Sequence, residues 1–459
     1  MHLYKTIKQL NANWVILITL IAITWVNFNI VRWQKGNIIT NDVISYYCYL
    51  PATFYEHDLS LAFTDDSLNR ELEGRYYWPS IDANGNKIIK VNMGMAVSYL
   101  PFFAAAHVYC KLFNEEANGF SDPYHFAVQF SSLFYFLIGL FFLLKILKLY
   151  FNQKVVFITS LAIIFGTNII YYLTNGAGMA HPVDFSLIAA FIYYTVKWHQ
   201  SQTLKRTLII GLLGGMITLV RPINIFIFFV FFFYNVSSFK DVSVKIKFFL
   251  KNYKHLFLIA ICGVLIYLPQ LIYWKYVTGN YFVNSYMGER FYFNNPHIID
   301  GLFSFRKGWL VYSPIMIFSL IGFYYLRKNN KLLFVTLLLF TLFYFYIVFS
   351  WWCWWYGGSY SQRALIDIYP LLAIPFAAFV AHIQNFNKLK RSVVYTLMVL
   401  CLLLNIFQTM QAKWNIIHYD SMTREAYFDA LFRITKNPER EKFLKHPDYD
   451  KAMRGIDEY

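Results

Sequence analysis

Charge is what this chain has least of. Only 14% of its 459 residues are charged and 58% are hydrophobic, whereas soluble globular domains carry roughly 25% charged residues. A soluble fold would have no interior large enough for this much Phe, Leu and Ile. Acidic residues are the scarcer sign, with 25 Asp and Glu against 41 Lys and Arg. Cysteine is sparse as well. Cys48, Cys110, Cys262, Cys353 and Cys401 are scattered without a C-x-x-C pair, so neither metal-ligand spacing nor a disulfide framework is implied. A cleavable leader is missing too. The first apolar run ends in "NIVRWQKG", not in a small-residue cleavage site, and reads as an uncleaved first span. No internal repeat is visible, which weighs against transporter folds built from inverted repeats.

Long apolar runs are what is present. "WVILITLIAITWVNFNIV" and "LLFVTLLLFTLFYFYIVF" are each long enough to cross a hydrocarbon core of about 30 Å. The fold class is therefore all-α, a polytopic transmembrane helical bundle. The net charge of +16 does not point to nucleic acid, because the cations cluster between apolar runs. Those clusters are Lys145/Lys148/Lys154, Lys197/Lys205/Arg206, Lys240 to Lys254, Arg327/Lys328/Lys331 and Lys388/Lys390/Arg391. Short cytoplasmic loops have this composition.

Placing all five clusters inside gives about eleven spans: 13–31, 124–149, 155–172, 183–197, 207–220, 222–236, 255–275, 309–326, 332–350, 364–383 and 393–410. The N-terminus is then cytoplasmic and the C-terminus outside. Residues 32–123 form a long first external loop. Within it "VNMGMAVSYLPFFAAAHVYCKLF" (Val91 to Phe113) either spans or lies in the interface. An interfacial helix keeps the charge alternation and leaves Pro101, His107 and Lys111 near water. Arg221 and Pro222 split 207–236 into two short spans with a turn outside, since proline disfavours helix in the residue before it. Residues 1–410 read as one membrane domain. Residues 411–459 read as a short, polar, helical appendage.

The external loops hold the candidate chemistry. "NDVISYYCYLP" (Asn41 to Pro51) places Asp42 just after the first span. In a helix, Asp42, Tyr46 and Tyr49 fall at i, i+4 and i+7 on one face. His57 and Asp58 follow. A carboxylate at the membrane surface walled by tyrosines can serve as a general base, with its pKa raised by desolvation; otherwise it is a wet residue beside an aromatic belt. "LFSFRKGWLVYSP" offers Arg306 and Lys307 as phosphate contacts, or as cations snorkelling to head groups. "SWWCWWYGGSYSQR" offers Trp355 as a sugar-stacking ring and Arg363 just before the next span. "TNGAGMAHPVDF" sets His181 and Asp184 three apart, as a substrate or metal pair or as a helix start with Pro182 in the first turn. "TDDS" (Thr64 to Ser67) matches a D-x-D metal site only loosely.

The layout resembles the GT-C superfamily of integral-membrane glycosyltransferases, which includes protein O-mannosyltransferases, the aminoarabinose transferase of lipid A and bacterial Rgt-type transferases. The resemblance runs to about residue 410. It rests on Asp42 after the first span, the long first external loop, Leu100–Pro101, "GLLGGMITLVRPIN" and "GGSYSQRALIDIYPLLAIP". It implies sugar transfer from a polyprenyl-phosphate donor to a glycan, lipid or protein hydroxyl on the non-cytoplasmic face of a bacterial inner membrane. Asp42 would be the base, and Arg306, Lys307 and Arg363 would contact the lipid phosphate. The family's second acid beside that aspartate is missing here, with Asn41 before it and Val43 after it. The expectation is accordingly a metal-independent enzyme without cofactor. Two rivals fit the same loops: a flippase or transporter of lipid-linked sugars, and an O-antigen polymerase or ligase. The second usually carries its large loop late in the chain. For the first, nearly charge-free span interiors argue against a transport path.

Overall fold

The computed structural model describes residues 11–65, 77 and 79–456; Asp66 and Ser67 of the "TDDS" stretch lie outside them. The protein is all-α, 69% helical. Among the described residues the strands are a two-residue hairpin, Ser80–Ile81 against Lys87–Ile88. Among the described residues seven helices are long and apolar enough to cross a membrane.

The first of them is α1 (Trp14–Ile30). The loop after it carries α2 (Asp42–Tyr47), α3 (Tyr49–Phe54) and α4 (Gly94–Phe113). Then come α5 (Asp122–Lys148), α6 (Gln153–Gly166), α7 (His181–Gln200) and α8 (Leu204–Val220). They are followed by α9 (Phe228–Phe233), α10 (Phe239–Lys251) and α11 (Tyr253–Thr278). The last large helices are α12 (Ile317–Asn329), α13 (Lys331–Phe349), α14 (Tyr369–Ile383) and α15 (Lys388–Lys413).

α14 is the centre of the bundle, with nearly every residue buried. An all-apolar helix suits that place, because it has no face to offer water. α12 lies against it so closely that a Cβ on Gly322 would stand 1.9 Å from the Pro375 carbonyl oxygen. Glycine at that crossing lets the two backbones meet.

Side-chain contacts sort the helix ends into two groups. Lys148, at the end of α5, donates to Asn13 at 2.7 Å, beside the start of α1. Ala12 N donates to Gln153 at 3.1 Å, His255 meets Thr207 at 2.7 Å, and Thr336 donates to the Phe233 carbonyl at 2.7 Å. These contacts gather the basic clusters at one end, as the charge alternation requires. The turn at Arg221 lies at the other end, and 222–233 returns to the basic end, where Tyr234 meets Tyr150 at 3.3 Å.

The position of α4 follows from the same contacts. A Cβ on Gly94 would stand 2.3 Å from Val220 N, so α4 starts against the far end of α8. Further along, Tyr135 donates to the Ser98 carbonyl at 2.8 Å and His107 bonds Tyr124 at 2.7 Å. α4 therefore runs antiparallel to the first half of α5. Twenty residues of helix measure about 30 Å, which makes α4 long and apolar enough to cross a membrane.

Two expected spans are interrupted. α6 stops at Gly166, where Thr167 turns extended. The 309–326 stretch breaks at Ser313, before Pro314, as a residue preceding proline tends to do. The two breaks face each other: Asn168 N donates to Ser313 Oγ at 3.1 Å.

Residues 414–456 pack against the rest of the protein. They fold back over the loops at 305–312 and 351–360. Tyr449 donates to Asp420 at 3.0 Å, Ser421 bonds Asp420 at 2.6 Å and His446 at 2.8 Å. The hydrogen bonds of Asp420 outweigh its partial burial and hold it down at about 2.

Candidate active site

A cavity of about 1240 Å³ opens at the end of the bundle away from the basic clusters. Helix ends and loops wall it. Arg32 comes from the end of α1, Asp42 and Tyr46 from α2, and His181 from the start of α7. Arg221 comes from the end of α8, Trp351 and Trp352 from just past α13, and Arg363 from just before α14. Lys90, Tyr286 and Glu289 come from the two long loops.

Asp42 opens α2 as its first-turn acid, where the helix dipole favours a negative charge. Its carboxylate meets Arg363 Nη1 at 2.7 Å. Arg363 keeps 15% of its side chain exposed and Asp42 keeps 48%, so the carboxylate is the more open partner. Burial alone would raise the Asp42 pKa. The Arg363 charge and hydrogen bond, with Lys90 and His181 further off, outweigh it and hold the carboxyl below its usual range. The expected raised pKa is thus corrected, because the desolvated carboxylate carries its own counter-cation. Tyr46 is pushed upward by burial and by Asp42, so its hydroxyl stays a donor.

Behind the cavity wall lies a cluster the spacing alone did not reveal. Asp367 is fully buried. It pairs with Arg221, accepts from Asn224 at 2.9 Å and meets His181 Nδ1 at 2.8 Å. Tyr344 donates to Asn224 at 2.9 Å. Asp367 thereby fixes two cavity residues, Arg221 and His181, at once. Asp184 is fully buried as well, beside Asn224. The span interiors are therefore not free of charge: the Asp367–Arg221 ion pair sits inside the bundle near its cavity end. Asp367 stands four residues after Arg363 in an otherwise apolar run, and that spacing was the signal available.

The predicted site residues separate into two sets. Asp42, Tyr46, His181 and Arg363 come together on the cavity. The others do not line it. Tyr49 leaves its face, because the helix divides at Cys48; its hydroxyl donates to the Val91 carbonyl at 2.8 Å and its ring packs on Tyr273. His57 is exposed in a left-handed turn. Asp58 closes a local turn, accepting from Ser60 N and Ala62 N at 2.8 Å each. Arg306 is 2% exposed, and its guanidinium donates to the Asp420 carbonyl at 3.1 Å and lies 5.5 Å over Trp355. Lys307 donates to the carbonyls of Ser359 and Tyr419, and burial pushes its ammonium well below its usual range. Trp355 is wholly buried. The folded tail has claimed Arg306, Lys307 and Trp355 as its own anchor.

Arg32, Lys90, Arg221 and Arg363 face Asp42 and Glu289 across the cavity, so the lining has a cationic excess. Lys90 pairs with Glu289, and Trp352 Nε1 donates to the same carboxylate at 3.1 Å. Among the described residues no group of three His, Cys, Asp or Glu is placed to hold a metal.

No family model and no curated protein sequence matches the chain. Solved structures do. The apo oligosaccharyltransferase of Archaeoglobus fulgidus superposes with a TM-score of 0.50 at 12% identity, over 99% of this chain and 60% of that one. The archaeal oligosaccharyltransferase AglB from the same organism, solved with an inhibitory peptide and a dolichol-phosphate, gives 0.47 at 11% identity, over 97% and 60%. The chain spans about 60% of the length of these structures. At such identity the likeness to the first of these is one of fold alone.

Proposed function

We propose that this protein is an integral-membrane glycosyltransferase that moves a sugar from a polyprenyl-phosphate donor to an acceptor hydroxyl. The observation that carries this reading is the Asp42–Arg363 pair, set in a cavity with a cationic excess at the mouth of the bundle. Such a lining suits a phosphate. Guanidinium groups offer it paired donors, and preorganised positive charge favours the charge that develops on a departing phosphate. Aromatic walls at Tyr46, Tyr286, Trp351 and Trp352 suit a sugar ring.

In the proposed step the acceptor oxygen forms a bond to the anomeric carbon. The bond from that carbon to the phosphate oxygen breaks, and its electron pair leaves with the phosphate. Arg363 and Arg221 hold the phosphate. Asp42 takes the proton from the acceptor hydroxyl and passes it to water. A carboxylate held below its usual range is a weak base at equilibrium, but it is fully ionised at neutral pH and presents half its surface to the cavity. Arg363 would thus serve both charges, orienting the base while meeting the leaving group. We further propose that the reaction needs no metal, since the cation beside Asp42 is a guanidinium, and that the cavity faces the non-cytoplasmic side.

The test is a transfer assay in sealed vesicles, with a panel of polyprenyl-phosphate sugars and glycan, lipid or peptide acceptors. A new glycosidic bond, with polyprenyl phosphate released in equal amount, is the expected result. A sugar lipid carried across the bilayer intact, with no bond formed, would make the protein a carrier.

A further inference from the structure

Among the described residues, α10 stands apart from the other helices of comparable length in having no buried residue. It joins the returning 222–233 segment, which ends in α9, to α11 at the basic end. Its sequence, Phe239 to Lys251, divides into three lines. Phe248 and Phe249 turn inward onto Trp198, at ring distances of 5.7 and 6.2 Å. Phe239, Ile246 and Leu250 fall at i, i+7 and i+11, which superposes them on one side of a helix. They are 97%, 55% and 68% exposed. Lys240, Lys247 and Lys251 repeat that spacing one residue later, about 100° around the axis, and all three are exposed.

A helix whose apolar line and lysine line run side by side has the form of one lying in a membrane interface. Here the interface is at hand, because the helix links elements of a membrane bundle at the level where their basic ends emerge. We propose that α10 is a lipid-docking helix: its Phe239–Ile246–Leu250 line sinks among acyl chains, and its Lys240–Lys247–Lys251 line pairs with the phosphates of anionic phospholipids. Charge complementarity selects the partner, for the neighbouring Lys254 and Lys205 extend the same basic surface. The inference stands whether or not the cavity transfers sugars.

Spin labels on Ile246→Cys, Leu250→Cys and Lys247→Cys variants of the whole chain test it, with the protein reconstituted in phosphatidylcholine vesicles containing phosphatidylglycerol. The labels at 246 and 250 should collide with oxygen, which concentrates in the bilayer, and the label at 247 with a water-soluble nickel chelate. All three colliding mainly with the chelate would overturn the docking and leave a helix standing in water, free for a soluble partner. Native mass spectrometry reads the second half. Lys240→Gln, Lys247→Gln and Lys251→Gln should each weaken retention of phosphatidylglycerol about fivefold, the equivalent of ~1 kcal/mol per lysine near an anionic surface. Equal retention by wild type and the triple variant would overturn the headgroup pairing. Unchanged phosphatidylcholine retention and melting show that the variants are folded.

Discussion

The two ends of the bundle solve the same problem differently. Most helices that begin at the basic end carry a side-chain cap, α1 and α11 being the exceptions. Asn152 accepts from Val155 N, Thr203 from Arg206 N, Asn330 from Leu333 N and Asn387 from Lys390 N. Helices that begin at the cavity end, namely α2, α4, α5, α7 and α14, have no such cap. A cap satisfies a backbone N–H and is worth about 1 kcal/mol. Charges follow the same division. At the basic end the lysines are mostly exposed and paired with little. At the cavity end the charges are drawn into the fold and held by partners from distant parts of the chain, as Asp367 holds Arg221 and His181. One end is finished for water and head groups. The other keeps its polar groups directed at an interior space, which is what a chemical site requires.

The largest effect should come from the carboxylate that only the cavity end can explain. Asp42→Asn keeps the shape and removes the proton acceptor. We expect transfer to fall about 10²- to 10⁴-fold, the usual worth of general-base help, while melting and donor binding stay near wild type. Near-normal transfer would reduce Asp42 to a wet residue in an aromatic belt.

Arg363→Ala comes next. Losing a charged hydrogen bond costs roughly 1.5–3 kcal/mol, or about a 10- to 150-fold loss of transfer. The pH profile sharpens the assignment. In the wild type the guanidinium holds Asp42 below the usual carboxyl range, so the ionised form persists as pH falls. Without that charge burial prevails and the pKa rises. The acid limb of the rate profile should then move to higher pH. An unmoved limb would separate the rate loss from the ion pair.

How legible was this division? The apolar runs, the turn at Arg221–Pro222 and the all-α fold could be read directly, because hydrophobic periodicity and proline act locally. Asp42 and Arg363 could be found because each flanks a span. The pairing of Lys90 with Glu289, 199 residues apart, depends on tertiary packing and left no local trace. Arg306 and Lys307 misled for the same reason. They look like free cations beside a span, and only the folded tail, with its carbonyls at Tyr419 and Asp420, shows where they are used. Asp184 and Asp367 were hidden by position, since a charge in the first turn after a loop reads as the edge of a span rather than as its buried interior.

Arg306 should therefore behave unlike Arg363, though both are arginines beside a span. Arg306→Ala strands buried carbonyls and should lower stability by roughly 1.5–3 kcal/mol, with transfer per folded molecule unchanged. Thermal melting and activity measured on the same preparation separate the two arginines. A loss of transfer without a loss of stability would return Arg306 to the phosphate.

The smallest effect is expected at Asp58, sixteen residues beyond Asp42 in the same loop. Both are aspartates held below their usual pKa, but by different means. Asp42 is held by an opposing charge, whereas Asp58 overcomes slight burial through hydrogen bonds from Ser60 and Ala62. Those bonds are local and partly wet, and an asparagine oxygen can keep one of them. Asp58→Asn should cost about 0.5–1 kcal/mol of stability, the net worth of a single such bond. Transfer at neutral pH should match the wild type, and because the group does no chemistry its acid limb should stay in place as well. Sugar transfer and melting of Asp42→Asn and Asp58→Asn, measured side by side, place both in one experiment. Equal losses of transfer would mean that this loop tolerates no change of charge anywhere, and the special standing of Asp42 would rest on its contact with Arg363 alone.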